Sequence, residues 1–256
     1  MVKGLQIFQE YFIDFKDQYI IFGGTACSLW LESFGLEFRS TKDIDMALVI
    51  EVLNKDFVIK FWEFIRLGGY QLKEKDNGKK IFYRFAKPDA QDFPFMIEIF
   101  TRKPDSLEIP PDQHLIPVKT NDGIRNSLSA ILLQDEYYEL IIQSRVIMKD
   151  IPIVNGLILI PLKIKAFLDL DLRKKNGETI DDNDIQKHKK DVYRLYYTST
   201  ASNNVVVPAS VKKNMNTFIS YIKEDQQSFN SVSHDIGVPQ TNMADFMDTL
   251  KKIYSL

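Results

Sequence analysis

The chain has 256 residues, of which 45% are hydrophobic and 27% are charged, close to the averages for soluble globular proteins. This composition excludes a disordered or fibrous chain, and the 33 basic against 35 acidic residues exclude a strongly basic nucleic-acid-binding protein. The single cysteine, Cys27, excludes an intrachain disulfide and a thiolate zinc site, and it favours a reducing, cytoplasmic compartment.

Helical and extended patterns alternate along the first part of the chain. Apolar residues at helical spacing predict a helix over 5–15, and a short apolar run predicts a strand over 19–22 that ends at a Gly-Gly turn. The elements predicted after it are a helix over 25–34 ending at Gly35, a strand over 43–50, a helix from the cap Asn54 to Gly68-Gly69, strands over 70–75 and 79–86 joined by an Asn-Gly turn at 76–78, and a strand over 95–101. This alternation predicts a mixed sheet flanked by helices.

The second part of the chain becomes helical. Pro-rich loops at 104–117, a helix around 135–143 and extended runs near 145–160 come first. The apolar region 151–162 is interrupted by two prolines, so no membrane span is expected. Helices are then predicted over 161–174, with Pro161 in its first turn, and over 181–197, 208–225 and 239–254. The predicted fold class is therefore α+β, with a mixed-sheet core over 1–160 and a helical carboxyl-terminal domain over 161–256.

Two aspartates, Asp43 and Asp45, stand two positions apart in the predicted strand 43–50. Because side chains alternate along a strand, both carboxylates point to one face, with Cα atoms about 6.6 Å apart. Like charges at this distance repel unless a cation lies between them or one carboxylate is protonated, so a divalent cation is the natural partner. An isolated Asp-x-Asp is more often a turn cap followed by a solvated residue, and this alternative stays open on the pattern alone.

Two neighbouring features strengthen the metal hypothesis. Gly23-Gly24-Thr25 joins a strand to a helix, where bare backbone and the helix N-terminus can receive a phosphate. Glu98 lies inside the apolar strand 95–101, and a buried carboxylate needs a partner such as a metal. Together these features indicate a site for a nucleotide and divalent cations.

A Gly-Gly turn, an Asp-x-Asp strand and a later strand with one acid follow each other in this order. The order resembles the nucleotidyltransferase superfamily that includes DNA polymerase β, and more closely the AbiEii-type abortive-infection nucleotidyltransferases. The matching residues are Gly23-Gly24-Thr25-Ala26, the run Arg39-Ser40-Thr41-Lys42-Asp43-Ile44-Asp45, a helical Lys at Lys163 or Lys165, and Asp191 on the next helix. The family often has a second Asp three residues after the last of these, where this chain has Arg194.

The resemblance implies a nucleotidyl transfer with two metal ions. Asp43, Asp45 and Glu98 would bind two Mg²⁺ ions, and Glu98 would accept the proton of the acceptor hydroxyl. The residues implied to bind the nucleoside triphosphate are Gly23, Gly24, Thr25, Arg39, Thr41, Lys163 and Asp191. Lys163 is favoured over Lys165 because Ala166 lies three residues after it. Loss of Lys163 is expected to weaken nucleotide binding more than it disturbs folding.

The resemblance also implies a biological setting. The chain would be the toxin of a toxin–antitoxin or phage-defence pair, modifying RNA such as a tRNA acceptor end, with an antitoxin protein as a further partner. One alternative is transfer of a nucleotide to a protein hydroxyl or to a small molecule such as an aminoglycoside. Another is a catalytically idle binding or antitoxin module, which the intact set of motifs argues against.

The remaining metal-binding residue types are assigned structural roles. His114, His188 and His234 have no paired spacing, so they are interpreted as surface residues rather than metal ligands. Cys27 lies one turn into the predicted helix after the glycines, and it is interpreted as a small buried packing residue.

Overall fold

The computed structural model describes residues 2–74, 80–102, 115–119 and 125–256. In these ranges the chain forms two compact units. Unit 1 consists of Met1–Ser28 and Ser40–Val154, and unit 2 consists of Leu29–Arg39 and Asn155–Leu256. The predicted Asn-Gly turn at 76–78, most of the predicted loop at 104–117, and His114 lie outside the described residues.

Apart from β6 and β7, the elements up to Val154 follow the predicted order. The helices are α1 (Leu5–Tyr11), followed by a short 3₁₀ turn (Ile13–Phe15), α2 (Gly23–Ser33), α3 (Lys55–Gly68) and α4 (Asp135–Gln143). The strands are β1 (Tyr19–Phe22), β2 (Asp43–Leu48), β3 (Gln71–Glu74), β4 (Lys80–Ala86), β5 (Met96–Thr101), β6 (Leu115–Lys119), β7 (Arg125–Leu132), β8 (Arg145–Met148) and β9 (Ile151–Val154).

The described strands form one mixed sheet. Its order is β3-β4-β7-β5-β2-β1-β9-β8, and β6 pairs with β7. β2 lies between β1, to which it is antiparallel, and β5, to which it is parallel. β3 and β4 pair antiparallel, which confirms the predicted hairpin of these two strands. Together with the helices of unit 2, this mixed sheet confirms the predicted α+β fold class.

The two faces of the sheet have different surroundings. One face packs against α1 and α3 through a cluster of aromatic rings, in which the centroids of Phe8 and Tyr19 are 5.6 Å apart and those of Phe61 and Phe85 are 5.3 Å apart. The strand residues buried on this face include Tyr19, Ile21, Ile44, Met46, Leu48, Phe85, Ile97 and Ile99. Since burial of each such side chain is worth about 1.5–3 kcal/mol, this face supplies the core of unit 1. The opposite face carries the charged residues.

The ends of α3 show how local sequence sets an element. The Asn54 side chain accepts a hydrogen bond from the backbone N–H of Phe57, which satisfies one of the donors that a helix start leaves open. At the other end Gly69 adopts φ 63° and its N–H donates to the carbonyl of Arg66. Both helix limits were predicted from these residues, and both are confirmed.

Unit 2 is helical after Asn155. Its helices are α5 (Gly156–Lys175), α6 (Asp182–Tyr196), α7 (Ala209–Tyr221), α8 (Gln226–Asp235) and α9 (Met243–Tyr254). α6, α8 and α9 meet through Tyr193, Phe229 and Phe246, whose ring centroids are 5.0 to 5.5 Å apart. These rings are fully buried, so the helices share one core.

The start of α5 corrects one prediction. The helix was expected to begin at Pro161, but it begins at Gly156, with Asn155 as its cap and Pro161 in its interior. Proline cannot donate to the carbonyl four residues before it, which here belongs to Leu157. The buried Tyr254 hydroxyl donates to that carbonyl at 2.5 Å, so a side chain replaces the missing backbone donor. The contact comes from a distant part of the sequence, and the local pattern could not reveal it.

Three elements were not predicted. β6 contains Pro117, β7 is the Ser-rich run 125–132, and neither shows a clear alternation of apolar residues. α8 is mostly polar, and the apolar residues that it buries are Phe229 and Val232. The apolar residues of β6 and β7 do not alternate with polar ones, and α8 has few apolar residues, so none of the three gives a clear periodic signal.

Candidate functional site

β2 and β5 bring the three predicted acids onto one face of the sheet. In the parallel register Asp45 pairs with Glu98, and Asp43 pairs with Met96. Adjacent strands lie about 4.8 Å apart, so Glu98 is a direct neighbour of Asp45. Ile44, between the two aspartates, is fully buried, whereas the three acids are only partly buried. The carboxylates therefore share the face opposite the aromatic core.

Gly23 sets the position of the Asp45 carboxylate. It stands at the junction of β1 and α2 with φ 68°, in the region that favours glycine. A Cβ atom on Gly23 would lie 1.8 Å from Oδ2 of Asp45. The residue must therefore be glycine for two reasons, the turn of the backbone and the close approach of the carboxylate.

Thr25 connects the first turn of α2 to the aspartate strand. Its side chain is fully buried, and its hydroxyl donates to the backbone carbonyl of Asp43 at 2.6 Å. Gly24 is buried as well, while Gly23 and Thr41 are partly exposed. The nucleotide contacts predicted for these residues stay predictions, and the contact seen here gives Thr25 a supporting role for Asp43.

Glu98 has a basic neighbour that the sequence analysis did not identify. Arg84 of β4 is the antiparallel partner of Glu98, and its Nε and Nη2 both contact Oε1 of Glu98 at 2.5 Å. The Glu98 side chain is 12% exposed and that of Arg84 is 36% exposed. The sequence predicts that this carboxylate needs a partner such as a metal ion. In this structure its partner is Arg84.

The donor set suits a divalent cation only in part. Carboxylate oxygens are the ligands that Mg²⁺ prefers, so Asp43 and Asp45 fit such an ion by their chemistry. No three carboxylate, imidazole or thiolate groups in the described residues are clustered to hold a metal ion. The aspartate pair is thus the candidate ligand set, and Glu98 is held by Arg84.

Unit 2 contains a second charged cluster, centred on Asp191 of α6. The Asp191 side chain is fully buried, and Lys163 Nζ lies 2.8 Å from its Oδ2. Arg39 donates from Nε to Oδ1 at 3.1 Å and from Nη2 to Oδ2 at 3.0 Å. Arg194, three residues along the helix, places Nη1 3.5 Å from Oδ1. Unit 2 therefore brings together the predicted residues Arg39, Lys163 and Asp191.

The burial and the charges in this cluster shift the pKa values of two side chains, Asp191 and His188. Burial alone would raise the pKa of Asp191, but the charges of Lys163 and Arg39 outweigh burial and hold this pKa below its ordinary value. Burial, with the charge of Lys163 as the next cause, lowers the pKa of His188 from 6.5 to about 3. Asp191 is therefore ionised and His188 is neutral at physiological pH.

The two candidate lysines of α5 have different surroundings. Lys163 is buried against Asp191, whereas Lys165 is partly exposed and contacts Asp169 of its own helix, with Nζ 2.6 Å from Oδ2. From the sequence, loss of Lys163 is expected to weaken nucleotide binding and hardly disturb folding. Its burial in an ion pair revises that expectation, because removing one member of a buried pair is strongly destabilising.

The structure also tests the residues that were assigned structural roles. Cys27 is fully buried, which confirms its interpretation as a packing residue. His234 is exposed as expected. His188 is only partly exposed, which corrects its interpretation as a surface residue, and its buried Nδ1 has no hydrogen-bond partner among the described residues. The sequence offers one signal for Arg84: it stands between Tyr83 and Phe85 in a predicted strand and is, like Glu98, a charged residue between apolar neighbours.

Comparison with known proteins adds little to this geometry. No protein-family model matches the chain, and no curated protein matches its sequence. Among solved structures the chain is similar to a Megavirus polyadenylate synthase, with a TM-score of 0.39 and 12% sequence identity. The similarity covers 86% of this chain and 36% of that one, so the chain spans about a third of the neighbour's length. At this level the likeness carries no inference about activity.

The described helices were also compared with the requirements of a membrane span. None of them is both long enough and apolar enough to cross a bilayer.

Proposed function

We propose that the protein is a Mg²⁺-dependent nucleotidyltransferase that moves a nucleotide from a nucleoside triphosphate to an acceptor hydroxyl. The observation that carries this proposal is the pairing of Asp45 with Glu98 in register, with Asp43 on the same strand and Gly23 shaped to admit the Asp45 carboxylate. This arrangement matches the order of motifs by which the sequence resembles the AbiEii-type nucleotidyltransferases. An RNA acceptor and a toxin role are finer proposals that rest on the resemblance alone.

Asp43 and Asp45 would hold the divalent cation. Bound Mg²⁺ would neutralise charge on the triphosphate and make the acceptor hydroxyl easier to deprotonate. Gly23 lets the Asp45 carboxylate approach the backbone closely, and Thr25 fixes the start of β2 through the Asp43 carbonyl. Glu98 would take up the proton of the acceptor hydroxyl once its carboxylate is available. The roles of Arg39, Thr41, Lys163 and Asp191 in binding the nucleotide remain part of the proposal.

Incubation with labelled nucleotides tests the proposal. Each labelled nucleoside triphosphate is incubated with the protein, Mg²⁺ and total cellular RNA, and labelled RNA is separated from labelled protein on a gel. We expect Mg²⁺-dependent label on RNA, and we expect Asp45→Asn to abolish it. Asp14→Asn, which removes an exposed carboxylate elsewhere in unit 1, should transfer label like the wild type.

Other outcomes point to the alternatives. Label on protein would favour a protein acceptor over RNA. No label on either fraction, with a small molecule such as an aminoglycoside also left unlabelled, would favour the idle binding module. Transfer by Asp45→Asn at the wild-type rate would contradict the assignment of the aspartates as metal ligands.

A further inference from the structure

Four residues form a row across the central strands of the sheet. Phe22 of β1 pairs with Asp45 of β2, Asp45 pairs with Glu98 of β5, and Glu98 pairs with Arg84 of β4. Residues paired in this way point to the same face. Glu98 is therefore flanked by a carboxylate on one side and a guanidinium on the other.

The ion pair at the end of this row is held by the sheet itself. Arg84 is fixed beside Glu98 by the cross-strand pairing, and both of its contacting nitrogens meet the same oxygen, Oε1. Arginine stays protonated at any physiological pH, so its charge cannot be removed by proton loss. The Glu98 side chain is 12% exposed and that of Arg84 is 36% exposed, so water screens this pair less than it screens a fully exposed pair.

A divalent cation bound to Glu98 would therefore lie close to the positively charged Arg84 guanidinium. An ion that used Glu98 as a ligand would be placed close to a fixed positive charge, and like charges repel. Arg84 is a neighbour of Glu98 and not of Asp45, because the strand β5 lies between Asp45 and Arg84. Asp45 and Glu98 thus differ in how readily they accept a divalent cation.

We propose that Arg84 competes with the divalent cation for Glu98. In the nucleotide-free protein, Asp43 and Asp45 bind one ion while Arg84 holds Glu98. A second ion that uses Glu98 binds only when the guanidinium leaves Oε1. Arg84 is thus a positioning residue that acts through Glu98, and this inference rests on the proposed function because it takes the aspartates as ion ligands.

Titration with Mn²⁺, followed by calorimetry and by the electron paramagnetic resonance of unbound Mn²⁺, counts the ions bound by the nucleotide-free protein. We expect one ion per chain for the wild type. Arg84→Gln should bind a second ion, or bind Mn²⁺ at least about fivefold more tightly, equivalent to about 1 kcal/mol. The double variant Arg84→Gln/Glu98→Gln should return to one ion, because the second site then lacks its ligand.

Two further variants separate competition from a general loss of positive charge. Lys42→Gln removes a cation next to Asp43 in sequence whose ammonium lies 4.0 Å from the centroid of the Phe95 ring, and it should still bind one ion. Arg84→Lys keeps the charge and should also bind one ion. Circular dichroism and thermal melting establish that each variant is folded, and the wild-type ion count tests the proposal even if Arg84→Gln does not fold.

The outcomes are distinct from those that test the proposed function. Two ions in the wild type, or one ion of unchanged affinity in Arg84→Gln, would overturn the competition. Equal gains in Lys42→Gln and Arg84→Gln would overturn it as well, since only net charge would matter. Wild-type Mn²⁺ binding by Asp45→Asn, or no binding by the wild type, would instead remove the ion site itself and with it the proposed function.

Discussion

Asp45 and Asp191 are both aspartates in regular elements, but their surroundings are opposite. Asp45 is partly exposed on a sheet face, with Asp43 two residues away and Glu98 beside it. Asp191 is fully buried in α6, and the cationic groups of Lys163, Arg39 and Arg194 contact it. The first aspartate belongs to a group of like charges, and the second is surrounded by opposite charges.

This difference separates a group of like charges that a cation would stabilise from a carboxylate whose charge is balanced by buried cations. A cluster of carboxylates on an accessible face gains free energy from a cation supplied by the solvent. A buried carboxylate with cationic partners is already compensated within the fold, and its removal leaves buried charges behind. The sheet face is therefore the place to look for metal-dependent chemistry, while the Asp191 cluster is expected to govern stability. Four predictions test this division, beginning with the largest effect.

Removing the Asp191 charge should strongly destabilise the protein. Asp191→Asn leaves Lys163 and Arg39 without their buried carboxylate, and such a loss costs about 3–5 kcal/mol. Urea denaturation measures the free energy of unfolding. The double variant Asp191→Asn/Lys163→Met should recover part of the loss, because it also removes one of the buried cations.

The matched control is Asp169→Asn on α5. The Asp169 side chain is 50% exposed and pairs with Lys165, and exposed pairs contribute at most about 1 kcal/mol. If Asp191→Asn costs no more than Asp169→Asn, the cluster is not a stabilising feature and the comparison between the two aspartates does not hold.

The second prediction concerns Gly23, which shapes the acidic face. Gly23→Ala would combine a strained backbone with a Cβ 1.8 Å from Asp45 Oδ2, so it should lose at least about 2 kcal/mol of stability and most of the Mn²⁺ affinity. Gly35→Ala is a close control, because Gly35 has φ 71° against 68° at Gly23 and its added Cβ would meet no atom within 4 Å.

The control variant should therefore lose only about 1 kcal/mol, the cost of a positive φ in a residue with a side chain. Its Mn²⁺ affinity should be that of the wild type. Equal losses in the two variants would mean that the close approach to Asp45 is relieved by a small shift and does not constrain the site.

The third prediction uses pH to test the buried cluster. The pKa of His188 is lowered from 6.5 to about 3 by burial and by Lys163, so the folded protein resists a proton that the unfolded chain takes up below about pH 6.5. This part of the stability is complete above pH 6.5 and is lost as the pH falls toward 3. One proton gives a slope of at most about 1.4 kcal/mol per pH unit, or up to about 2 kcal/mol between pH 6.5 and 5.

Urea denaturation at several pH values measures this slope. His188→Gln should flatten it in this range, while His234→Gln should keep it because that side chain is exposed. Asp191 contributes in a different range: its pKa is lowered, so its contribution is lost only at pH values below the ordinary aspartate range. An unchanged slope in His188→Gln would show that His188 is protonated without penalty in the folded state.

The extent to which sequence could predict this molecule follows from the range of the interactions involved. Caps and turns act over a few residues, so Asn54 and Gly69 could be assigned from the local pattern. The strand period placed Asp43 and Asp45 on one face for the same reason. The interior Pro161 could not be placed, because its tolerance depends on a hydroxyl from Tyr254, 97 residues away from the carbonyl that accepts it.

In the candidate site, too, local features could be predicted from the sequence and long-range contacts could not. The sequence indicated that Glu98 needs a partner, but the identity of that partner depends on the register of β4 against β5. Likewise, Lys163 and Asp191 were selected as separate residues, and only their packing shows that they form a buried ion pair. Residue types could be chosen from the sequence, whereas their pairing required the three-dimensional structure.

The last and smallest effect is the stability of Asp45→Asn without metal. In the metal-free protein this change relieves repulsion from Asp43 and Glu98, so we expect between no change and a gain of about 1 kcal/mol. With Mn²⁺ at about ten times the wild-type dissociation constant, binding should stabilise only the wild type, by about 1.4 kcal/mol. The order of stability should then reverse. Thermal melting with and without Mn²⁺ measures both values, and a loss of more than about 1 kcal/mol in the metal-free variant would mean that Asp45, like Asp191, is compensated within the fold.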